Sequence, residues 1–246
     1  MTASWIEAGL AIVLGACAGS YATTAAMRTA RAEQSTLGRS HCDSCRVPLT
    51  MAQTVPVISF STSGGRCAAC GARIDPLHPV GEITGAAIAL ASISLAPFPQ
   101  ALLLGALGLV LLASSIVDAR TLRLPDLLTA AAAVLCATLA SLQGLEALLV
   151  GLATAVAAGV VLQCLRWGFQ AAKRDPGLGL GDVKLIAALA LWLGPATAWV
   201  VVLASVGGLV LMAMMRPKDG RLAFGPLIAG SAWIIGLAME ANLGHS

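Results

Sequence analysis

Eight apolar stretches, near residues 5–27, 80–96, 100–117, 127–142, 145–165, 183–194, 196–215 and 223–240, alternate with polar segments along the 246-residue chain. Most approach the ~20 residues that an α-helix needs to cross a bilayer. The stretch 183–194 is short and ends at Gly194-Pro195, a helix-breaking pair. Residues 183–215 therefore read either as one kinked span or as two passes, the first of them full or re-entrant. The basic residues discriminate between these. Arg28, Arg31, Arg39, Arg46, Arg66 and Arg73 fall in the first polar segment and Arg120 and Arg123 in the second. Arg166, Lys173, Arg174 and Lys184 surround the third, and Arg216, Lys218 and Arg221 fill the fourth, which accounts for all 15. With eight crossings every one lies on the same side, whereas with seven the last group changes side. The positive-inside rule predicts eight spans, with the basic loops cytoplasmic, both termini outside and tight outer turns at "APFPQ", "LQG" and "LGPA". The first stretch has no basic n-region and no clear cleavage site, so it reads as a helix that stays.

Composition agrees with this pattern. At 58% hydrophobic and 11% charged, with a mean hydropathy of +0.86, the chain exceeds the roughly 45–50% apolar content of a soluble domain. The expectation is an all-α polytopic membrane protein with lipid around it. The net charge of +3 adds little, because only the placement of charge matters here. Nucleic acid is excluded as a partner, since no dense basic run or aromatic ladder is present. Three parts are expected: a first transmembrane helix (1–27), a cytoplasmic loop (28–79) and a seven-helix membrane domain (80–246).

The loop carries "HCDSCRVPLT…GGRCAACGARI", with Cys42, Cys45, Cys67 and Cys70 in two CxxC pairs. Each CxxC turn brings two thiolates to one metal, and two turns complete a tetrahedral zinc shell. Two disulfides are the alternative, disfavoured on the reducing side of a membrane. Four thiolates leave no open coordination position, so the zinc is expected to fold the loop, which has too little core to stand alone. Gly65 and Gly71 supply tight turns. His41 reads as a solvated neighbour, and Cys17, Cys136 and Cys164 as small packing residues in apolar stretches.

The chain has no HExxH, GxSxG or GxxxxGK[ST], so zincin, serine-hydrolase and P-loop chemistries lack their signatures. Only His41, His78 and His245 are present, none within a span. The glycines of "RDPGLGLGDVKL" do not follow a strand in a βαβ unit, which excludes a dinucleotide site. The carboxylates are left as the reactive groups. Asp118 closes the third span in "LLASSIVDARTLRLPD" and Asp182 opens the sixth. Each has an ordinary explanation: a helix-terminal charge for Asp182, pairing with Arg120 or Arg123 for Asp118. Ionisable residues in membrane helices are nevertheless functional candidates, and two at matched depth suggest a dyad. Such carboxyls share a proton, one acting as base toward water while the other polarises a peptide carbonyl. Gly179 and Gly181 leave room beside Asp182 and, with Lys184, are read as support for the active-site loop.

Taken together, "GRSHCDSCRVPL", "VPVISF", "GGRCAACGARIDPLHPVGE", "VDARTLRLPD", "GLGLGDVKL" and "FGPLIAG" resemble the type IV prepilin peptidase family, polytopic aspartic proteases of the GxGD class. The resemblance implies that Asp118 and Asp182 are the catalytic aspartates, that Cys42, Cys45, Cys67 and Cys70 hold zinc, and that the protein sits in the inner membrane. It further implies cleavage of prepilin or pseudopilin leaders, after a glycine, at the cytoplasmic face. Many members then N-methylate the new terminus using S-adenosylmethionine. Those members carry aromatic residues followed by an acidic one before "IPV", where this chain has Met51, Ala52 and Gln53. Glu82 matches a family position and reads as a helix cap. The competing class is a small transporter or channel with a zinc-stapled loop, although no internal repeat is visible.

Overall fold

The computed structural model describes residues 4–33, 39–173, 178–215 and 222–243. Arg174, Arg216, Lys218, Arg221 and His245 lie outside the described residues. Among those described the structure is helical, without a strand: α1 Trp5–Ala30, α2 Ile58–Thr62, α3 Leu77–Leu95, α4 Gln100–Thr121, α5 Asp126–Gln143, α6 Leu145–Lys173, α7 Leu180–Leu193, α8 Thr197–Met215 and α9 Gly225–Leu243. Apart from the short α2, these helices coincide with the eight apolar stretches. Five stretches are long and apolar enough to cross a membrane: 5–30, 100–121, 126–143, 145–172 and 180–215 taken as one. The chain is an integral membrane protein.

Helix boundaries follow local chemistry. Ser4 and Glu7 form a reciprocal capping box that starts α1, satisfying N–H groups that the first turn leaves orphaned. Helix α7 starts after Gly179 and stops at Gly194, whose φ of 52° a side chain would resist, and Pro195 follows in a 3₁₀ turn. The course of the chain beyond Pro195 resolves the kink. Asp118, at the end of α4, bonds the first residue of α9, whereas Gln100, at the start of α4, bonds Glu240 near the end of α9. Trp192, near the end of α7, also bonds Glu240, so α7 runs parallel to α9. Gly208, midway along α8, faces Phe224 and Leu227 at the beginning of α9. Thus α8 runs back antiparallel to α7, and 180–215 is a helical hairpin. At 14 residues, α7 is about 21 Å long, shorter than the ~30 Å apolar thickness of a bilayer.

Packing between membrane helices relies on close approach more than on expelling water. Helices α1 and α3 meet through Gly15, Gly19, Gly81 and Gly85, where an added Cβ would overlap the opposing backbone or the Thr23 side chain. The main core gathers Leu104, Leu107, Leu139, Leu185, Leu189 and Ile228, each fully buried, from α4, α5, α7 and α9. Cys136 belongs to it, as expected. Cys17 and Cys164 do not: both lie on exposed outer faces of their helices, because an apolar stretch in lipid has two apolar sides and hydropathy cannot tell which one packs.

Candidate functional site

The tetracysteine loop is built from two matching knuckles. In one, Cys42 N–H donates to Val47 O and Arg46 N–H to Cys42 O; in the other, Cys67 N–H donates to Ala72 O and Gly71 N–H to Cys67 O. Isolated bridges His41–Pro48 and Arg66–Arg73 close them. Each turn needs a positive φ after its second cysteine, and Gly71 provides it at 71°. Arg46 does so at 60°, a conformation that costs an L residue roughly 1–2 kcal/mol. The four Sγ atoms lie within 4.8 Å of one another, with Cys42–Cys70 at 3.9 Å and Cys45–Cys67 at 4.0 Å. Tetrahedral zinc with ~2.3 Å Zn–S bonds sets its sulfurs about 3.8 Å apart. The cluster therefore fits zinc. Backbone N–H groups of Cys70 and Ala69, with the Cys42 side chain, bring the Cys67 thiol down to about 6, favouring the thiolate a metal needs. His41 stays outside the cluster, with Nε2 3.4 Å from Arg46.

The loop docks on the helix bundle by ionic contacts. Arg31 at the end of α1 bonds Asp43 at 2.9 Å, and Arg120 at the end of α4 bonds Asp75. The His78 ring and the Arg31 guanidinium beside Asp43 hold its carboxyl well below the usual range. Between loop and helices lies a cavity of about 150 Å³, lined in part by Ser20, Arg28, Asp43, Asp75, His78 and Glu82. Glu82 is not a helix cap. It is buried, and it accepts hydrogen bonds from Ser20 Oγ at 2.8 Å and from Val57 N–H at 2.7 Å, joining α1, α3 and the loop.

Asp118 and Asp182 both lie at this same end of the bundle. Asp118 is 5% exposed in the last turn of α4. Asp182 stands in the first turn of α7, which packs through Gly181 against Leu124, just beyond the end of α4. Arg120 is committed to Asp75, so the pairing with a neighbouring arginine considered for Asp118 is not what holds it. Its Oδ2 instead accepts the Gly225 N–H at 2.8 Å, at the N-terminus of α9. The glycines have distinct tasks. A Cβ on Gly179 would lie 2.8 Å from Asp182 Oδ2, and one on Gly181 would lie 2.9 Å from Leu124 Cβ, so Gly181 lets the start of α7 close on the α4–α5 turn. Lys184 points elsewhere, to Asp126 Oδ1 at 2.6 Å on the surface. Gly225 is the site component that residue-by-residue reading missed. Its only signal was the "FGPLIAG" motif, in which no residue bears reactive chemistry.

Comparison with known proteins gives a consistent picture. Residues 105–214 match the Type IV leader peptidase family, and residues 13–95 match the Bacterial Peptidase A24 N-terminal domain. Similar proteins carry the name Prepilin leader peptidase/N-methyltransferase. That of Burkholderia pseudomallei (strain 1026b) is 37% identical over 202 residues, 78% of this chain and 64% of its own length. Those of Aeromonas hydrophila and Neisseria gonorrhoeae are 33% and 34% identical over 80% and 82% of this chain, covering 70% and 72% of their own lengths. The chain thus spans just under two thirds of the Burkholderia relative. No solved structure matches it.

Proposed function

Because the chain belongs to the type IV leader peptidase family, we propose that it is an aspartic endopeptidase that removes the leader of type IV prepilins or pseudopilins, with Asp118 and Asp182 as its catalytic pair. The observation that supports this reading is the placement of two carboxyls from separate helices at one end of the bundle, one of them anchored by the Gly225 N–H. Two adjacent carboxyls share a proton and titrate as a unit. The ionised member takes a proton from water as the water oxygen attacks the scissile carbonyl carbon. The protonated member donates to the carbonyl oxygen, and collapse of the tetrahedral adduct expels the amine, which leaves with a proton. The glycines at 179 and 181, with Lys184 tying α7 to Asp126, support the loop over which the substrate backbone passes. A transporter is disfavoured by family membership and by the position of the pair at the end of the helices rather than at their middle.

In this reading the protein lies in the inner membrane with the zinc loop and the pair at the cytoplasmic face, both termini outside and eight helices crossing or re-entering. The chain divides into a first helix (1–27), a loop (28–79) that helps dock substrate, and a seven-helix peptidase domain (80–246). Zinc on Cys42, Cys45, Cys67 and Cys70 supplies folding free energy to the loop. The names of the relatives also support a second activity, N-methylation of the new terminus. Its methyl donor, S-adenosylmethionine, carries a sulfonium and an ammonium, which carboxylates would recognise. Asp43, Asp75 and Glu82, which line the loop cavity, are already committed to Arg31, Arg120 and the Ser20–Val57 donors. These residues do not present a fitted donor site. Incubating the purified protein with a prepilin peptide and measuring the product masses tests both activities: cleavage after the leader glycine, and a methyl increment when the donor is added.

A further inference from the structure

At the end of the bundle opposite the aspartates lies a second polar cluster. Glu240, in the last turn of α9, is 3% exposed among apolar helices. Its carboxyl accepts Gln100 Nε2 at 2.6 Å, Trp192 Nε1 at 3.2 Å and, at the longer distance of 3.4 Å, Gln143 Nε2. Gln100 is the first residue of α4, Gln143 the last of α5, and Trp192 the next to last of α7. Four helices therefore end on one side chain. The donors are neutral side chains. A carboxyl buried among apolar helices without an ionic partner carries a high desolvation penalty, and removing it would strand three N–H donors. Gly236 adds a second sign of construction: a Cβ there would overlap the Trp192 ring, so its absence lets α7 lie against α9.

We propose that Glu240 is a positioning residue for the Asp118–Asp182 pair, fastening the far ends of α4, α5, α7 and α9 so that the near ends of α4 and α7 meet. Asp118 lies eighteen residues beyond Gln100, about 27 Å along α4, and Asp182 ten residues before Trp192, about 15 Å along α7. Helix α7 is a short rod joined to α8 by one tight turn. When its far end is unfastened it pivots, and its first turn, which carries Asp182, swings by a comparable amount. The kinetic half of this proposal rests on the peptidase reading; the geometric half does not.

The test uses the full chain with spin labels, attached through an unnatural amino acid, at the exposed residues Leu122 and Leu180 beside the two aspartates. The comparison runs through wild type, Glu240→Gln, Trp192→Phe and the exchange Gln100→Glu/Glu240→Gln. Glu240→Gln should broaden the label distance distribution and lower kcat on a prepilin peptide by roughly 10–10²-fold, with KM held within about twofold. Trp192→Phe, which removes the Nε1–H donor and leaves a smaller aromatic side chain, should show a smaller effect in the same direction. The exchange, which returns one carboxyl to the cluster, should narrow the distribution and recover kcat. An unchanged distribution and kcat in Glu240→Gln overturns the proposal. So does broadening that the exchange leaves uncorrected, because it would reflect general loosening. A wild type that does not cut the peptide refutes the peptidase reading alone, and the label distances still decide the role of Glu240.

Discussion

Gly225→Ala is the sharpest perturbation of the pair that leaves both carboxyls in place. A Cβ at this position would lie 2.8 Å from Asp118 Oδ2 and 3.1 Å from both its Cβ and Cγ. Ordinary contact begins at 3.4 Å, so the carboxyl must withdraw by about 0.6 Å (3.4 less 2.8) and loosen its hydrogen bond to the α9 N–H. Misplacement by about 1 Å costs reactions of this kind on the order of 10²-fold. The expected loss of kcat is therefore between roughly tenfold and 10²-fold, larger than any change in KM, since the added Cβ meets the Asp118 side chain. Alanine favours helix over glycine by up to about 1 kcal/mol, so failure to form α9 cannot account for the loss. Gly230→Ala, on the same helix with nothing within 4 Å of its added Cβ, is the matched control and should turn over normally. The assay is initial-rate cleavage of a prepilin peptide across substrate concentration. Turnover by Gly225→Ala within about threefold of wild type, or an equal loss in Gly230→Ala, would refute the idea that Gly225 sets Asp118.

Three further outcomes are expected. Gly181→Ala places a Cβ 2.9 Å from Leu124 Cβ and should lower kcat by about tenfold by parting α7 from the α4–α5 turn; normal rates would show that this contact does not position Asp182. Cys42→Ser or Cys67→Ser should reduce bound zinc, measured by elemental analysis, and open residues 40–75 to protease, while cleavage of a minimal peptide persists. Complete loss in metal-free but intact protein, restored by zinc alone, would mean that the metal takes part in the reaction. Reporters fused after Arg73, Lys173 or Lys218 should read as cytoplasmic, and those after Gly144 or Ser246 as external. An external signal after Lys218 would overturn the even number of crossings.

The helices were legible because lipid demands long apolar runs, and their pairing by ends was legible because the basic residues mark one side. Asp118 and Asp182 could be matched for that reason alone: each stands at a basic helix end. Gly194-Pro195 announced a break, but the backward course of α8 became clear only from Gly208 against Phe224 and Leu227. Contacts between distant residues left less trace. Gly225 reaches Asp118 across a sequence separation of 107 residues, and a glycine advertises no chemistry. Glu82 looked like a cap because it stands near the start of α3, yet Ser20 and Val57 bury it. Lys184 sits two residues from Asp182, but side chains two apart on a helix point in different directions, and it found Asp126 instead. Glu240 is the sole charged residue of the stretch 223–240, so nothing local revealed that three other helices end on it.

If two carboxyls act as one catalytic unit, removing either should be as damaging as removing both. The most direct test is mass-resolved cleavage of a prepilin peptide by wild type, Asp118→Asn, Asp182→Asn and the double variant, each shown to be folded and membrane-inserted. Wild type should cut after the leader glycine. Each single substitution should abolish turnover, because an amide neither takes a proton from water nor shares one, and the double variant should be no worse than either single one. Near-normal turnover in either single variant would contradict the account.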